Sequence, residues 1–146
     1  MSVQRLASNY DDLAELFKFL RQYQKALSLF HKSIRMKEIF LGREYIDTLE
    51  GYNNLAVFHM SINEPFKAIP LYEKALKVIG ILDENHVLVA TVYMNIGSLY
   101  YAIDDYEKAY FYLSKCVSIR KSILPNSHPY LLEAKNRLKL TIEKLG

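Results

Sequence analysis

Apolar residues recur at helical spacing along the whole chain. Tyr10, Leu13, Ala14 and Phe17 stand at positions i, i+3, i+4 and i+7, which places them on one face of a helix with 3.6 residues per turn. The strict alternation of apolar and polar residues that is typical of strands does not occur. The pattern therefore predicts an all-α fold. The predicted helices span residues 4–20, 23–41, 46–62, 65–82, 87–103, 106–124 and 129–145.

The same pattern returns with a period of 41 or 42 residues. The segment that begins at Tyr10 is matched by segments that begin at Tyr52 and at Tyr93. A period of this length is typical of repeat proteins in which each unit contains two helices. Seven helices then make three pairs and one further helix within a single domain, residues 1–146. The predicted units are a first repeat at about 4–41, a second at about 46–82, a third at about 87–124 and a capping helix at about 129–145.

One position in the first helix of each repeat holds a small residue, which lets two helix backbones approach closely. Ala14, Ala56 and Gly97 occupy it in the three repeats, whereas Lys139 occupies it in the last helix. A lysine there would prevent a partner helix from docking, so the last helix is predicted to cap the array. The alternative is an excised array, because Gly146 falls where the turn to another helix would begin.

The chain resembles the tetratricopeptide repeat, in the 42-residue variety found in kinesin light chains. The segments that carry the resemblance are Tyr52–Ala56, Lys67–Leu76 and the connector His128–Pro129, and the likeness covers about residues 7–138. It implies a right-handed α-solenoid of three helix-turn-helix repeats with a C-terminal capping helix. The glycine that the family usually has in the turn between two helices is replaced here by Arg21, Asn63 and Asp104.

Composition and charge exclude several classes of protein. The 146 residues are 51% hydrophobic and 24% charged, which is typical of a folded globular chain. A single cysteine excludes an internal disulfide framework and a zinc site built from cysteines. Neither a secretory signal nor an apolar run of about 20 residues is present, so a cytoplasmic, intracellular protein without a membrane span is expected.

The sequence offers no arrangement of residues that favours catalysis. His86 and His128 stand in equivalent connectors, so their spacing reflects the repeat period rather than a metal site. Cys116 occupies the small core position that Ser33 and Ala75 hold in the other repeats, which predicts a buried and unreactive thiol. Gly-rich phosphate loops are also missing. We therefore expect neither an enzyme, nor a metal site, nor a cofactor.

The resemblance implies a non-catalytic interaction module that binds an extended peptide in a concave groove lined by the first helices. In similar repeat proteins an asparagine in the groove holds the ligand backbone, and Asn54 and Asn95 fall at that position. A carboxamide suits this role because it offers both a donor and an acceptor. The alternative is that these asparagines serve only the fold. The predicted groove residues are Asn53, Asn54 and Asn95, the apolar anchors Met60, Met94 and Tyr101, and also Ser98, Asp12, Glu15 and Arg137.

The charges of the predicted groove indicate the kind of partner. Asp11, Asp12, Glu15 and Glu50 make its N-terminal end acidic, which favours a partner segment with a basic residue near that end. Carboxylates at these positions would repel the C-terminal carboxylate of a chaperone tail, so chaperone tails are excluded as partners.

Two further functions compete with peptide binding. The array could instead be a structural or self-associating subunit, hence a homo-oligomer, that uses its convex face or its ends. A ladder of lysines along the second helices could also attract an acidic surface or RNA, but the net charge of only +3 does not favour nucleic acid. The ladder consists of Lys25, Lys32, Lys67, Lys74, Lys108 and Lys115.

Overall fold

The computed structural model describes residues 2–40, 42, 46–83 and 85–146. Within these ranges the chain forms seven α-helices and no strand, as the periodicity predicts, and each helix end lies within three residues of its predicted position. Residue 41, the predicted end of the second helix, lies outside the described residues. The helices are α1 (Val3–Phe19), α2 (Tyr23–Phe40), α3 (Ile46–Ser61), α4 (Pro65–Ile79), α5 (Val87–Ala102), α6 (Tyr106–Ile123) and α7 (Pro129–Leu145).

The helices are arranged in two compact units, Met1–Leu82 and Asp83–Gly146. In the first unit α1 packs on α2, α2 on α3, and α3 on α4, with Phe30 and Phe58 among the buried side chains. In the second unit α5 packs on α6 and α6 on α7, with Leu113 and Leu131 fully buried. Each unit thus has its own apolar core.

The turn inside each helix pair is left-handed. Arg21, Asn63 and Asp104 have φ angles of 60°, 62° and 65°. This left-handed region is energetically unfavourable for a residue that carries a Cβ atom, but not for glycine. After α1, the N–H of Gln22 donates to the carbonyl of Phe17 at 2.8 Å, which ends the helix in the manner of a Schellman motif. These three residues therefore adopt the conformation of the family's turn glycine, although they lack the conformational freedom of glycine.

Gly97 shows why a small residue is needed where the two helices of a pair meet. A Cβ atom built on Gly97 would lie 2.6 Å from Cγ and 2.9 Å from Cδ2 of Leu113 on α6. Ala14 and Ala56, at the same repeat position, are completely buried. The predicted close approach of the helices is therefore confirmed.

The two connector histidines cap helices. Nδ1 of His86 accepts the backbone N–H of Leu88 at 3.0 Å, and Nδ1 of His128 accepts that of Tyr130 at 3.1 Å. Each imidazole thereby satisfies one of the N–H groups that the first turn of a helix leaves unpaired. The two histidines therefore recur at equivalent positions because each caps the helix that follows it.

Candidate functional site

A cavity of about 310 Å³ opens between α5 and α7 in the second unit. Ser98 and Tyr101 of α5 line it on one side and Arg137 of α7 on the other, with Leu113 of α6 also in its wall. Ser98 and Tyr101 are three residues apart, so they lie on the same helix face. The structure thus brings together three of the residues that the sequence places in a binding groove.

The guanidinium group of Arg137 is held in a fixed orientation in this cavity. One guanidinium nitrogen of Arg137, Nη1, donates to Oγ of Ser98 at 2.8 Å, and Nη2 lies 3.4 Å from Oε1 of Glu133. A guanidinium carries five N–H groups, more than these two contacts use. The group can therefore keep its orientation and still donate to a ligand.

The remaining wall is largely apolar. Leu140 of α7 is 43% exposed, and the ring of Tyr101 packs edge-on against that of Tyr106 with centroids 5.3 Å apart. An apolar wall beside a fixed polar group is the usual composition of a ligand pocket.

The two asparagines predicted to hold a peptide backbone, Asn54 and Asn95, are both partly exposed. Asn95 lies one turn before Ser98 on α5, and Asn54 occupies the same repeat position on α3 of the first unit. Met60, the predicted anchor on α3, is also partly exposed. All three side chains are therefore accessible to a ligand.

Two predicted binding residues are buried instead. Asn53 is 7% exposed and Met94 5%, and Asp11, at the same repeat position, is 6% exposed. Successive residues of a helix differ by about 100° in direction, so a residue directly before Asn54 or Asn95 points to a different side. The expectation that Met94 is an exposed anchor is wrong, and Asn53 is not an accessible groove residue.

The acidic charge expected in the first repeat is largely paired. Oδ2 of Asp11 accepts a hydrogen bond from Nζ of the buried Lys37 at 2.7 Å. Oε2 of Glu15 lies 2.9 Å from Nζ of Lys18. Asp12 remains exposed. The structure therefore weakens the argument for a basic residue in the partner.

Five of the six lysines of the ladder lie over aromatic rings, and Lys67 instead pairs with Glu64. Nζ of Lys32 lies 5.2 Å from the ring centroid of Tyr10, a distance at which a cation is attracted to the face of an aromatic ring. Such contacts stabilise the packing of second helices on first helices and need no acidic partner. The same arrangement relates Lys25 to Phe17, Lys74 to Tyr52, Lys108 to Tyr100 and Lys115 to Tyr93.

Of the residues that α7 contributes to the cavity, the sequence predicts only Arg137. Glu133, Asn136 and Leu140 also line it, whereas the sequence pattern predicts a capping role for this helix. The repeat register does indicate that Leu140 lines the groove, because Leu140 occupies the position that the groove residue Ser98 holds in the third repeat.

Cys116 is buried, and this burial raises the pKa of its thiol to about 11. The predicted location in the core is thus confirmed, and a thiol in such surroundings is a poor nucleophile. Among the residues that the structure describes, no three His, Cys, Asp or Glu side chains are grouped so that they could hold a metal ion. In the same part of the chain, no helix is both long enough and apolar enough to cross a membrane.

Comparison with known proteins identifies the repeats. Residues 47–122, more than half of the chain, match the family model described as Tetratricopeptide repeat. The Clustered mitochondria protein homolog of Caenorhabditis elegans is 30% identical over 112 residues, which are 76% of this chain and 9% of that protein. Protein KINESIN LIGHT CHAIN-RELATED 3 of Arabidopsis thaliana is 27% identical over 116 residues, which are 77% of this chain and 18% of that protein. The chain therefore spans less than a fifth of either relative.

Solved structures share the fold over the whole chain. BtubC (BKLC) from P. vanneervenii has a TM-score of 0.86 at 23% identity, and the match covers 100% of this chain and 59% of that one. The nearly identical TPR-like repeats of a putative kinesin light chain from Podosopora anserina give 0.89 at 20% identity, covering 100% and 69%. These scores confirm the predicted fold class, an all-α solenoid of helix-turn-helix repeats.

Proposed function

This chain is a member of the tetratricopeptide repeat family, and from that premise we propose that it is a non-catalytic interaction module that binds an extended segment of a partner protein. The observation that carries the proposal is the cavity that Ser98, Tyr101 and Arg137 share in the second unit. Proteins of this family generally act by binding other proteins, and such a cavity on the first-helix side supports that role here.

The size and chemistry of the cavity favour a peptide over a larger ligand. A volume of about 310 Å³ lies at the lower end of ligand pockets, about 300–1,000 Å³, and suits one or two side chains. Tyr101 and Leu140 offer apolar contact, and Arg137 offers N–H donors. Asn95, one turn away, offers a carboxamide that matches a peptide unit, and Asn54 offers the same group on the first unit.

A binding measurement with matched variants tests the proposal. Short peptides from disordered protein segments are screened, and the best are titrated by fluorescence anisotropy. Leu140→Glu, inside the cavity, is compared with Leu132→Glu on the same helix, since the two leucines are 43% and 51% exposed and only Leu140 lines the cavity. We expect the affinity for the peptide to fall at least about tenfold for Leu140→Glu, because a bound peptide would remove the new carboxylate from water. We expect the affinity to be unchanged for Leu132→Glu.

A second pair of variants tests the asparagines. Asn54→Leu and Asn95→Leu remove the carboxamide while keeping a residue that favours helices. Asn95 also interacts within the protein, so circular dichroism must first show that the fold is intact. Loss of peptide binding by folded variants supports the proposal. If no peptide binds the parent chain, or if all variants bind as the parent does, peptide binding at these residues is refuted.

A further inference from the structure

Glu133 and Arg137 place a hydrogen-bond acceptor and a donor side by side in the cavity of the second unit. The two residues are four apart on α7 and therefore lie on one face of that helix. Oε1 of Glu133 lies 3.4 Å from Nη2 of Arg137, and the two side chains are 49% and 47% exposed. A carboxylate can accept about four hydrogen bonds and a guanidinium can donate about five. Each group can therefore still bond to a ligand.

This pair carries no net charge, which limits the ligand groups that the cavity favours. Among the described residues that line the cavity, only Glu133 and Arg137 are charged. A ligand carboxylate would be attracted by Arg137 but repelled by Glu133, and a ligand ammonium would meet the reverse. Either ion would lose its water without a net gain in charge attraction. The cavity therefore favours a neutral group that can accept from Arg137 and donate to Glu133.

A primary carboxamide can do both at once, whereas a peptide unit cannot. The N–H and the C=O of a trans peptide unit point to opposite sides. In the side chain of glutamine, one N–H lies on the same side as the carbonyl oxygen, so both can reach neighbouring groups. The two methylene groups of that side chain are apolar, and they suit the wall that Tyr101 and Leu140 provide.

The position of Arg137 in the repeat supports the same chemistry. Arg137 occupies on α7 the position that Asn54 and Asn95 hold on α3 and α5. An asparagine offers its donor and acceptor in one neutral group, and the pair on α7 offers the same two functions in charged groups. Hydrogen bonds to charged groups are about twice as strong as those between neutral groups. The last helix is therefore suited to select a ligand side chain.

We propose that the cavity between α5 and α7 binds the carboxamide of a glutamine side chain, whose oxygen accepts from Arg137 and whose NH₂ group donates to Glu133. This assignment rests on the proposed peptide binding and names a residue that the bound segment carries. The contact of 2.8 Å between Nη1 of Arg137 and Oγ of Ser98 keeps the guanidinium in the cavity when the ligand enters.

Peptide mixtures with one fixed residue test the proposal. Fluorescein-labelled hexapeptides carry Gln, Glu, Lys or Met at one position and mixtures of other uncharged residues, without Asn or Gln, at the rest. Their C-terminus is an N-methylamide, because an ordinary terminal amide would itself supply a primary carboxamide. Binding to the parent chain is measured by fluorescence anisotropy. At one position we expect glutamine to bind at least about tenfold more tightly than the other three, since an ion meets a like charge and methionine leaves the pair without its hydrogen bonds.

Removing the charge of Glu133 should reverse the preference. In Glu133→Gln the charge of Arg137 is no longer offset, so we expect the glutamate mixtures to bind at least about tenfold more tightly than they bind the parent and to exceed the glutamine mixtures. The matched control is Glu143→Gln, which changes an exposed glutamate of α7 that does not line the cavity. This control should keep the preference for glutamine. Circular dichroism checks that both variants are folded.

The possible results separate this assignment from peptide binding as such. Mixtures that bind the parent without preferring glutamine to methionine and glutamate would overturn the assignment and leave peptide binding in place. A Glu133→Gln variant that keeps the preference of the parent would have the same meaning. If no mixture binds the parent, the assignment and the proposed peptide binding both fail.

Discussion

Nζ of Lys37 on α2 lies 2.7 Å from Oδ2 of Asp11 on α1, and both side chains are buried. Oδ1 of Asp11 has no hydrogen-bond partner among the described residues. Removing two charges from water is costly, and their attraction offsets that cost only when the geometry is good. In the second repeat the same two positions hold Asn53 and Ile79. The first repeat therefore keeps an ion pair where the second repeat does without one.

We expect a single replacement in this pair to destabilise the protein far more than a double replacement. Asp11→Ala leaves the ammonium of Lys37 buried without its partner and should cost about 3–5 kcal/mol. The double variant Asp11→Asn/Lys37→Ile copies the residues of the second repeat and removes both charges. Urea unfolding should therefore show a much smaller loss for the double variant. Equal losses would mean that the pairing of the charges contributes little.

Gly97 should not tolerate even one added methyl group. Gly97→Ala places a Cβ within 3 Å of two side-chain atoms of Leu113, so this buried side chain or the helix that carries it must shift, and we expect a loss of about 1–3 kcal/mol in the free energy of unfolding. Gly80→Ala is the control, because its Cβ would meet only backbone oxygens at 3.5 and 3.7 Å. Thermal unfolding compares the two. A Gly97→Ala variant as stable as the parent would contradict the tight packing of Leu113 against Gly97.

Glycine should stabilise the left-handed turns. Arg21 has a φ of 60°, and replacing it by glycine removes a conformational cost of roughly 1–2 kcal/mol, part of which glycine's larger loss of entropy offsets. We expect Arg21→Gly to raise the melting temperature, and Asn63→Gly to raise it less, since asparagine tolerates this region. Arg5→Gly, inside α1, should lower it. A lower melting temperature for Arg21→Gly would contradict the turn geometry.

Cys116 should not react in the folded protein. Because burial raises the pKa of its thiol to about 11, only about one molecule in ten thousand carries the reactive thiolate at pH 7. We expect Ellman's reagent to label the thiol in urea but not in native buffer over an hour. Rapid stoichiometric labelling of native protein would show that the thiol is accessible.

The sequence allowed the helices and their order to be predicted because both depend on local, repeated features. Apolar spacing locates each helix, and the repeat register identifies equivalent residues such as Ala14, Ala56 and Gly97. The turns inside the helix pairs could also be located, because Arg21, Asn63 and Asp104 stand where the family pattern has a glycine, whereas their positive φ angles are seen only in the structure.

The candidate site could be predicted only in part, because the burial of a side chain depends on the helices that pack around it. Ser98, Tyr101 and Arg137 do meet in one cavity. The sequence pattern predicts Met94 on the surface, but its side chain is buried, since one step along a helix turns the side chain by about 100°. The burial of Lys37 was also unforeseen, because lysine is rarely buried without a partner and sequence spacing did not indicate Asp11.

The division into two units, each with its own core, has a consequence for how the chain folds. Most of the packing joins helices that are neighbours in sequence, so little loop entropy is lost before the first contacts form. Folding can then begin in either unit. A mutation that slows one unit would leave the other able to nucleate, and its kinetic effect would depend on which unit forms first.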